Sequence, residues 1–319
     1  MMATPSILGA GAGLVSSALF ASAATGTPMA GVLFYLAPLP IALAGLGWGT
    51  AAGIAAALTG TLVTAAVLGL GPGLLFALAL GAPIALLCYL ALLSRQSTAA
   101  GESATAAVEW YPMGRLVGWA AVIAGVLAAG IVLLLGYDTE SYREAIKDLL
   151  EKSALKDLDQ FNDAALGNLS AILARGLPAA FAVVWQSVAL FNLWLGGVIV
   201  EASGRGLRPW PKLDALEVPS VFFLAFTASL ALSFLPGVVG LIATGFAGAL
   251  LFAYVLQGLS ILHAYTRGMP FRGLLLASIY LGMLLLGWLA VIVAIIGLSE
   301  PMLRLRQRAE ARGQPPRTD

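Results

Sequence analysis

From Met1 to Ser94 the chain contains no Asp, Glu, Lys, Arg or His. A water-soluble domain cannot cover its surface without charge over so long a stretch, because soluble chains carry roughly a quarter charged residues. Apolar runs of about 18 residues or more read as membrane spans, and here they follow one another. Over all 319 residues only 10% are charged while 60% are hydrophobic. The fold class that follows is all-α: a polytopic bundle of transmembrane helices.

A net charge of +1 gives no bulk attraction for nucleic acid. The single cysteine, Cys88, excludes an internal disulfide. "ALFASAA" (residues 18–24) has an A-x-A-like site after an apolar stretch, but no Lys or Arg precedes it. The first stretch is therefore expected to remain a span rather than to be cleaved near Thr25.

Gly26-Thr27-Pro28, Gly47-Trp48-Gly49 and Gly69-Leu70-Gly71-Pro72-Gly73 punctuate the uncharged opening. With about 20 residues per crossing, spans fit near 7–24, 28–46, 50–69 and 73–93. Further spans fall near 116–136, up to Val200, near 219–235 and near 238–263. Residues 273–298 form either one tilted helix or two short crossings, so about eight to ten spans are expected. The organisation is helices over 1–137, an amphipathic insert at 138–168, helices over 169–303 and a basic tail at 304–319.

Lys and Arg in short loops mark the cytoplasmic side. Arg95, Arg115, Arg205, Arg208, Lys212, Arg267 and Arg272 share one side if the N-terminus is cytoplasmic. The acid-rich insert then lies outside. The tail, with Arg304, Arg306, Arg308, Arg312 and Arg317, is expected inside, so both termini are expected in the cytoplasm of a bacterial inner membrane.

Small residues recur every four positions at Gly9, Gly13, Ser17 and Ala21, and again at Gly45, Gly49, Gly53 and Ala57. Such spacing lets helix backbones approach closely in lipid. It serves packing within the chain or, at Gly9, Gly13, Ser17 and Ala21, docking of a partner membrane protein. Pro38 and Pro40 interrupt the second span and Pro83 the fourth, either as simple kinks or as the wall of a cavity.

The run "WQSVALFNLWLG" (185–196) carries two carboxamides, Gln186 and Asn192, at membrane depth. They lie about 120° apart around a helix, whereas Trp185 and Asn192 share a face. Gln257, Ser260 and His263 step along another span. Interhelical bonds explain these groups; a ligand site formed by Trp185, Asn192, Tyr254 and Gln257 is the sharper reading. His263 has no second His or Cys near it in sequence, so a helix-end role is expected rather than a metal site.

In the insert, Ser141 and Glu144 have capping-box spacing. Tyr142, Ile146, Leu149 and Leu150 share one face, and Leu158, Phe161, Ala165, Leu166 and Leu169 another. Two short amphipathic helices are expected, lying on the outer leaflet or over the mouth of the bundle. "GRGLRPWPK" (204–212) suits a membrane anchor, with Arg205 and Arg208 as candidate docking residues.

No G-x-x-x-x-G-K-[ST] and no H-E-x-x-H occurs. No acid or base falls deep in an expected span, where proton relays place them. The chain is expected to be neither an enzyme nor an ATPase, with no cofactor.

"WQSVALFNLWLGGVIV" (185–200), "SGRGLRPWP" (203–211), "LQGLSILHAY" (256–265) and "GLSEPMLRLRQR" (297–308) resemble the YybS-like family of predicted bacterial inner-membrane proteins of unknown function. In the last of these, Gly297, Leu298, Glu300, Arg304 and Arg306 match the family's ending. The resemblance covers most of the chain. That family is distantly similar to the substrate-binding components of energy-coupling-factor vitamin transporters and to small rod-shape membrane proteins. The likeness implies an all-helical bundle docked on a membrane coupling protein through small-residue faces; no vitamin-binding pattern transfers. Two readings follow: a small-molecule binding or transport component served by a separate coupling protein or ATPase, and a membrane scaffold in envelope or cell-shape assembly.

Overall fold

The computed structural model describes residues 3–97, 107–152, 163–211 and 216–303. In chain order the helices are α1 (Ala3–Ala21), α2 (Pro28–Tyr35), α3 (Pro38–Trp48), α4 (Thr50–Leu68) and α5 (Leu70–Phe76). A π-helical turn (Ala77–Gly81) leads into α6 (Ala82–Leu92). A two-stranded antiparallel ribbon follows, β1 (Ser94–Ser97) and β2 (Ala107–Trp110), with Ser94 opposite Trp110. Then come α7 (Met113–Leu135), α8 (Thr139–Glu151), α9 (Asp163–Ala202), α10 (Ser220–Leu232), α11 (Val238–Tyr265), α12 (Arg272–Leu285) and α13 (Leu289–Leu303).

Among the described residues seven helices or helix pairs are long and apolar enough to cross a bilayer, and α10, α12 and α13 are shorter apolar helices. The chain is an all-α, multi-pass membrane protein. It divides into two compact units. The first comprises Met1–Ala120 with Trp185–Pro211, the second Ala121–Val184 with Lys212–Asp319.

In the first unit two glycines replace loops. Gly49 (φ 91°) alone separates α3 from α4, and Gly69 (φ 99°) alone separates α4 from α5. Both adopt an extended backbone with positive φ that only glycine tolerates. Gly45 and Gly53 sit symmetrically about Gly49, so α3 and α4 meet there: a Cβ on Gly53 would lie 3.0 Å from the Gly45 Cα. The four-residue spacing at Gly45, Gly49 and Gly53 thus straddles a hairpin corner. On α1, Gly9 packs on the Ala52 carbonyl and Gly13 on that of Ala56. Ser17 Oγ lies 2.8 Å from Thr64 Oγ1, and Ala21 ends the helix. This face, a candidate for partner docking, is filled by α4 of the same chain.

In the second unit α8 begins at Asp138, whose Oδ1 accepts the backbone N–H groups of Glu140 (2.9 Å) and Ser141 (2.8 Å). Ser141 Oγ in return accepts the Asp138 N–H at 3.3 Å. The capping box thus starts at Asp138, three residues ahead of the expected Ser141–Glu144 pair, because Asp138 meets the first free N–H groups. Tyr142 and Ile146 are buried with Val132, Ala174 and Leu241. The helix therefore covers the last turn of α7 and the first turn of α11 rather than lying free on a membrane surface. Leu158 and Phe161, from the second expected insert helix, lie outside the described residues; Ala165, Leu166 and Leu169 belong to α9.

Residues 273–298 are not one continuous helix. The helix breaks at Leu286–Trp288, and α12 has no buried residue. The α13 backbone crosses α11 at two glycines. Gly258 abuts the Val293 carbonyl and Gly297 the Tyr254 carbonyl, so the two helices run antiparallel. Arg272 Nη2 donates to the His263 carbonyl (3.5 Å) and the Tyr280 ring meets His263 at 5.9 Å. Thus α12 sits at the C-terminal end of α11, and Leu303 points toward the other end.

Candidate functional site

In an α-helix the N–H of each residue bonds the carbonyl four residues earlier. Proline lacks that N–H, so each proline inside a span leaves one carbonyl short of a partner. In hydrocarbon the shortage must be made good within the protein.

Pro83 leaves Ala79. There the backbone widens into the π-turn, and the Trp185 indole Nε1–H donates to the Ala79 carbonyl at 2.7 Å. The second span shows the same logic. Pro38 and Pro40 divide it at Leu36–Ala37, where tight bonds run from Ala37 N–H to Phe34 O (3.1 Å) and from Leu39 N–H to Leu36 O (3.0 Å). The Leu39 N–H, which a regular helix would direct to Tyr35, is thereby spent. Asn192 Nδ2 donates to the Tyr35 carbonyl at 2.8 Å, and Ser16 Oγ to that of Ala37 at 2.6 Å. Trp185 and Asn192, seven apart on one face of α9, thus each hold one broken span.

Asn192 gives its second amide proton to Val188 O (2.8 Å), which leaves Oδ1 with no donor. Gln186 reaches Val117 O through Nε2 at a long 3.4 Å, and its Oε1 also has none. Both side chains are fully buried.

A third case lies in the second unit. Pro301 leaves the Gly297 carbonyl, which Gln257 Nε2 meets at 2.8 Å. Gln257 Oε1 meanwhile accepts the Val218 N–H at 2.7 Å. Residues 216–219 precede α10 without helical structure, yet Leu216 and Val218 are buried. Ser260 Oγ takes the Leu216 carbonyl at 3.4 Å. Non-helical backbone is tolerated in a membrane protein where protein groups satisfy it. Tyr254 is buried against the Phe226 ring (5.9 Å), with its hydroxyl unpartnered. Of the four residues of the expected ligand site, Trp185 and Asn192 belong to the first unit, and Tyr254 and Gln257 to the second.

Residues 14–299 match the family of predicted membrane proteins designated DUF2232. The chain belongs to this family. No curated protein and no solved structure matches it.

In this DUF2232 chain Arg208 is not a docking residue at the surface. It is 8% exposed, its Nη1 donates to the carbonyls of Ala91 (2.7 Å) and Tyr111 (3.3 Å), and its guanidinium lies 5.7 Å from the Trp110 ring centre. It therefore caps the C-terminal end of α6, where carbonyls and the helix dipole favour a cation. Burial pulls the guanidinium below its ordinary range. Arg205 is exposed and stacks 5.2 Å over Trp48. Trp210 lies flat on Gly197, and its backbone N–H donates to Glu201 Oε1 at 3.3 Å. His263 Nδ1 sits 2.9 Å from the Leu259 carbonyl, one turn back on its own helix. Among the described residues no three His, Cys, Asp or Glu converge as a metal site would require. Sequence reasoning missed two things. Glu300 is buried inside α13, and Trp185, Asn192 and Gln257 each meet a backbone carbonyl beside a proline of another span. The signal for the second was Pro38 with Pro40, Pro83 and Pro301 in otherwise apolar stretches, each of which withholds a backbone N–H.

Proposed function

We propose that this chain is a small-molecule binding or transport component of the bacterial inner membrane, non-enzymatic, and dependent on a separate coupling protein or ATPase for energy. One observation carries the reading: two interrupted spans are both held from a single face of α9. Interrupted helices sacrifice stability and concentrate where membrane proteins bind substrates. The oxygens of Asn192 and Gln186 add two buried acceptors on that helix. Acceptors on an apolar wall favour a neutral ligand that donates N–H or O–H bonds.

The test is a binding panel of vitamins and small polar metabolites on protein reconstituted in lipid nanodiscs, read by calorimetry. One ligand class is expected to bind wild type. Gln186→Leu, which gives up only a long bond, is expected to abolish that binding while the protein stays folded. Failure of the whole panel to bind overturns the reading.

A scaffold role in envelope assembly is favoured by one feature, the apolar helix α12 with no buried residue. A photo-crosslinker at Leu284 that captures one defined membrane protein supports it, and capture of lipid alone opposes it. For orientation we place the N-terminus and residues 203–211 in the cytoplasm by the charge rule. The arginine-rich tail calls for the same side, whereas the course of α13, antiparallel to α11, calls for the other. A phosphatase fused to the C-terminus and active only in the periplasm supports the course of α13.

A further inference from the structure

An open apolar groove of about 540 Å³ runs between α4 and the segment from the π-turn into α6. Its floor is small, made of Ala57, Ala82 and Ala85, while Ile54, Leu58 and Leu86 project outward as exposed walls. In a chain that crosses a bilayer, an exposed apolar groove between two spans faces acyl chains. Gly73 packs on Ala65 and Gly81 on Ala57, so this segment runs antiparallel to α4, and Thr50 and Tyr89 line the same end of the groove.

That end is also where charge gathers. Thr50 follows the single-residue link at Gly49, and Leu207 comes within 4.0 Å of the Cβ position of Gly49. Two residues before Leu207, the exposed Arg205 holds its guanidinium over Trp48, the residue before Gly49. Arg208, next along the loop, is committed to backbone carbonyls. Arg205 is thus an exposed cation over Trp48, two residues from Thr50, toward the end of the apolar groove that Thr50 and Tyr89 line.

We propose that this groove binds an anionic phospholipid, with one acyl chain along the alanine floor and the phosphate on Arg205. The occupant follows from charge complementarity. An apolar slot alone accepts any acyl chain, whereas a cation at its mouth selects an anionic headgroup. The inference rests on membrane embedding alone and stands or falls apart from the small-molecule binding reading.

The full chain is reconstituted in nanodiscs of equimolar phosphatidylglycerol and phosphatidylcholine, and lipid retained on release is counted by native mass spectrometry. Wild type is expected to retain phosphatidylglycerol about fivefold over phosphatidylcholine, the effect of one cation at a membrane surface. Arg205→Gln is expected to bring the ratio to about one with total retention kept. Ala82→Phe, at an exposed position, fills the slot and is expected to remove retention of both lipids. Equal retention by wild type, a preference that survives Arg205→Gln, or retention unchanged by Ala82→Phe overturns the proposal.

Discussion

The two units meet the same shortage of backbone hydrogen bonds in different ways. In the first, the interrupted spans stay helical on both sides of each break, and α9 answers each with one side chain: Trp185 for Ala79, Asn192 for Tyr35. In the second, residues 216–219 before α10 are not helical, and one side chain, Gln257, serves α13 and, together with Ser260, that segment. The first unit distributes the repair, and the second concentrates it. The contrast teaches that the cost of losing a polar side chain in a span depends on how many backbone groups it leaves bare, not on how polar it is. The network also fixes the orientation of Gln257, since only its oxygen can accept from Val218 N–H and only its nitrogen can donate to Gly297.

The largest effect is expected at the concentrated site. Gln257→Leu strands a buried N–H and a buried carbonyl, at about 1–3 kcal/mol each. Reversible unfolding in detergent should show a loss of about 3 kcal/mol or more, and a loss under about 1 kcal/mol would dissolve the contrast. Asn192→Leu strands one carbonyl and should cost about 1–3 kcal/mol in the same assay. Trp185→Phe keeps the ring and loses one bond, worth about 0.6–2 kcal/mol between helices. Its sharper test is a double-mutant cycle with Pro83→Ala, which supplies the N–H that a regular α-helix would direct to Ala79. The cost of Trp185→Phe should fall to less than about 0.5 kcal/mol in that background, and an unchanged cost would mean that the indole bond answers something other than the proline.

The smallest effect lies outside the spans, at the start of α8. The Ser141 backbone N–H holds the Asp138 carboxyl below its ordinary value of 3.8. A depressed folded value means that the cap contributes fully above about pH 3.8 and is lost as pH falls through that lower value. The Ser141 amide resonance should therefore titrate with a midpoint below 3.8, and a midpoint at or above it would argue that the cap does not form in solution.

The span pattern was legible because lipid imposes it. Long apolar runs bounded by glycine and proline can do little else, and the runs over 28–46, 50–69 and 238–263 reappear as helices within a few residues. The stretch at 219–235 was only half legible: hydropathy does not separate the helix from the extended residues leading into it, since both are apolar and only Gln257 and Ser260 distinguish them. At the candidate site the shared face of Trp185 and Asn192 was readable from their spacing. Their partners were not, because the Tyr35 and Ala79 carbonyls lie 157 and 106 residues away in sequence. Composition also misled at Arg208. A cation in a basic loop suggests a surface anchor, yet the exposed carbonyls ending α6 draw it inward.

Gly49 and Gly69 carry a consequence for how the first unit can move. With one residue between α3 and α4 and one between α4 and α5, the polypeptide keeps no slack at either corner. Rocking of these spans against each other must be absorbed by rotation about two glycine backbones. A tag or epitope inserted at either corner would force the neighbouring helices apart instead of hanging free in water.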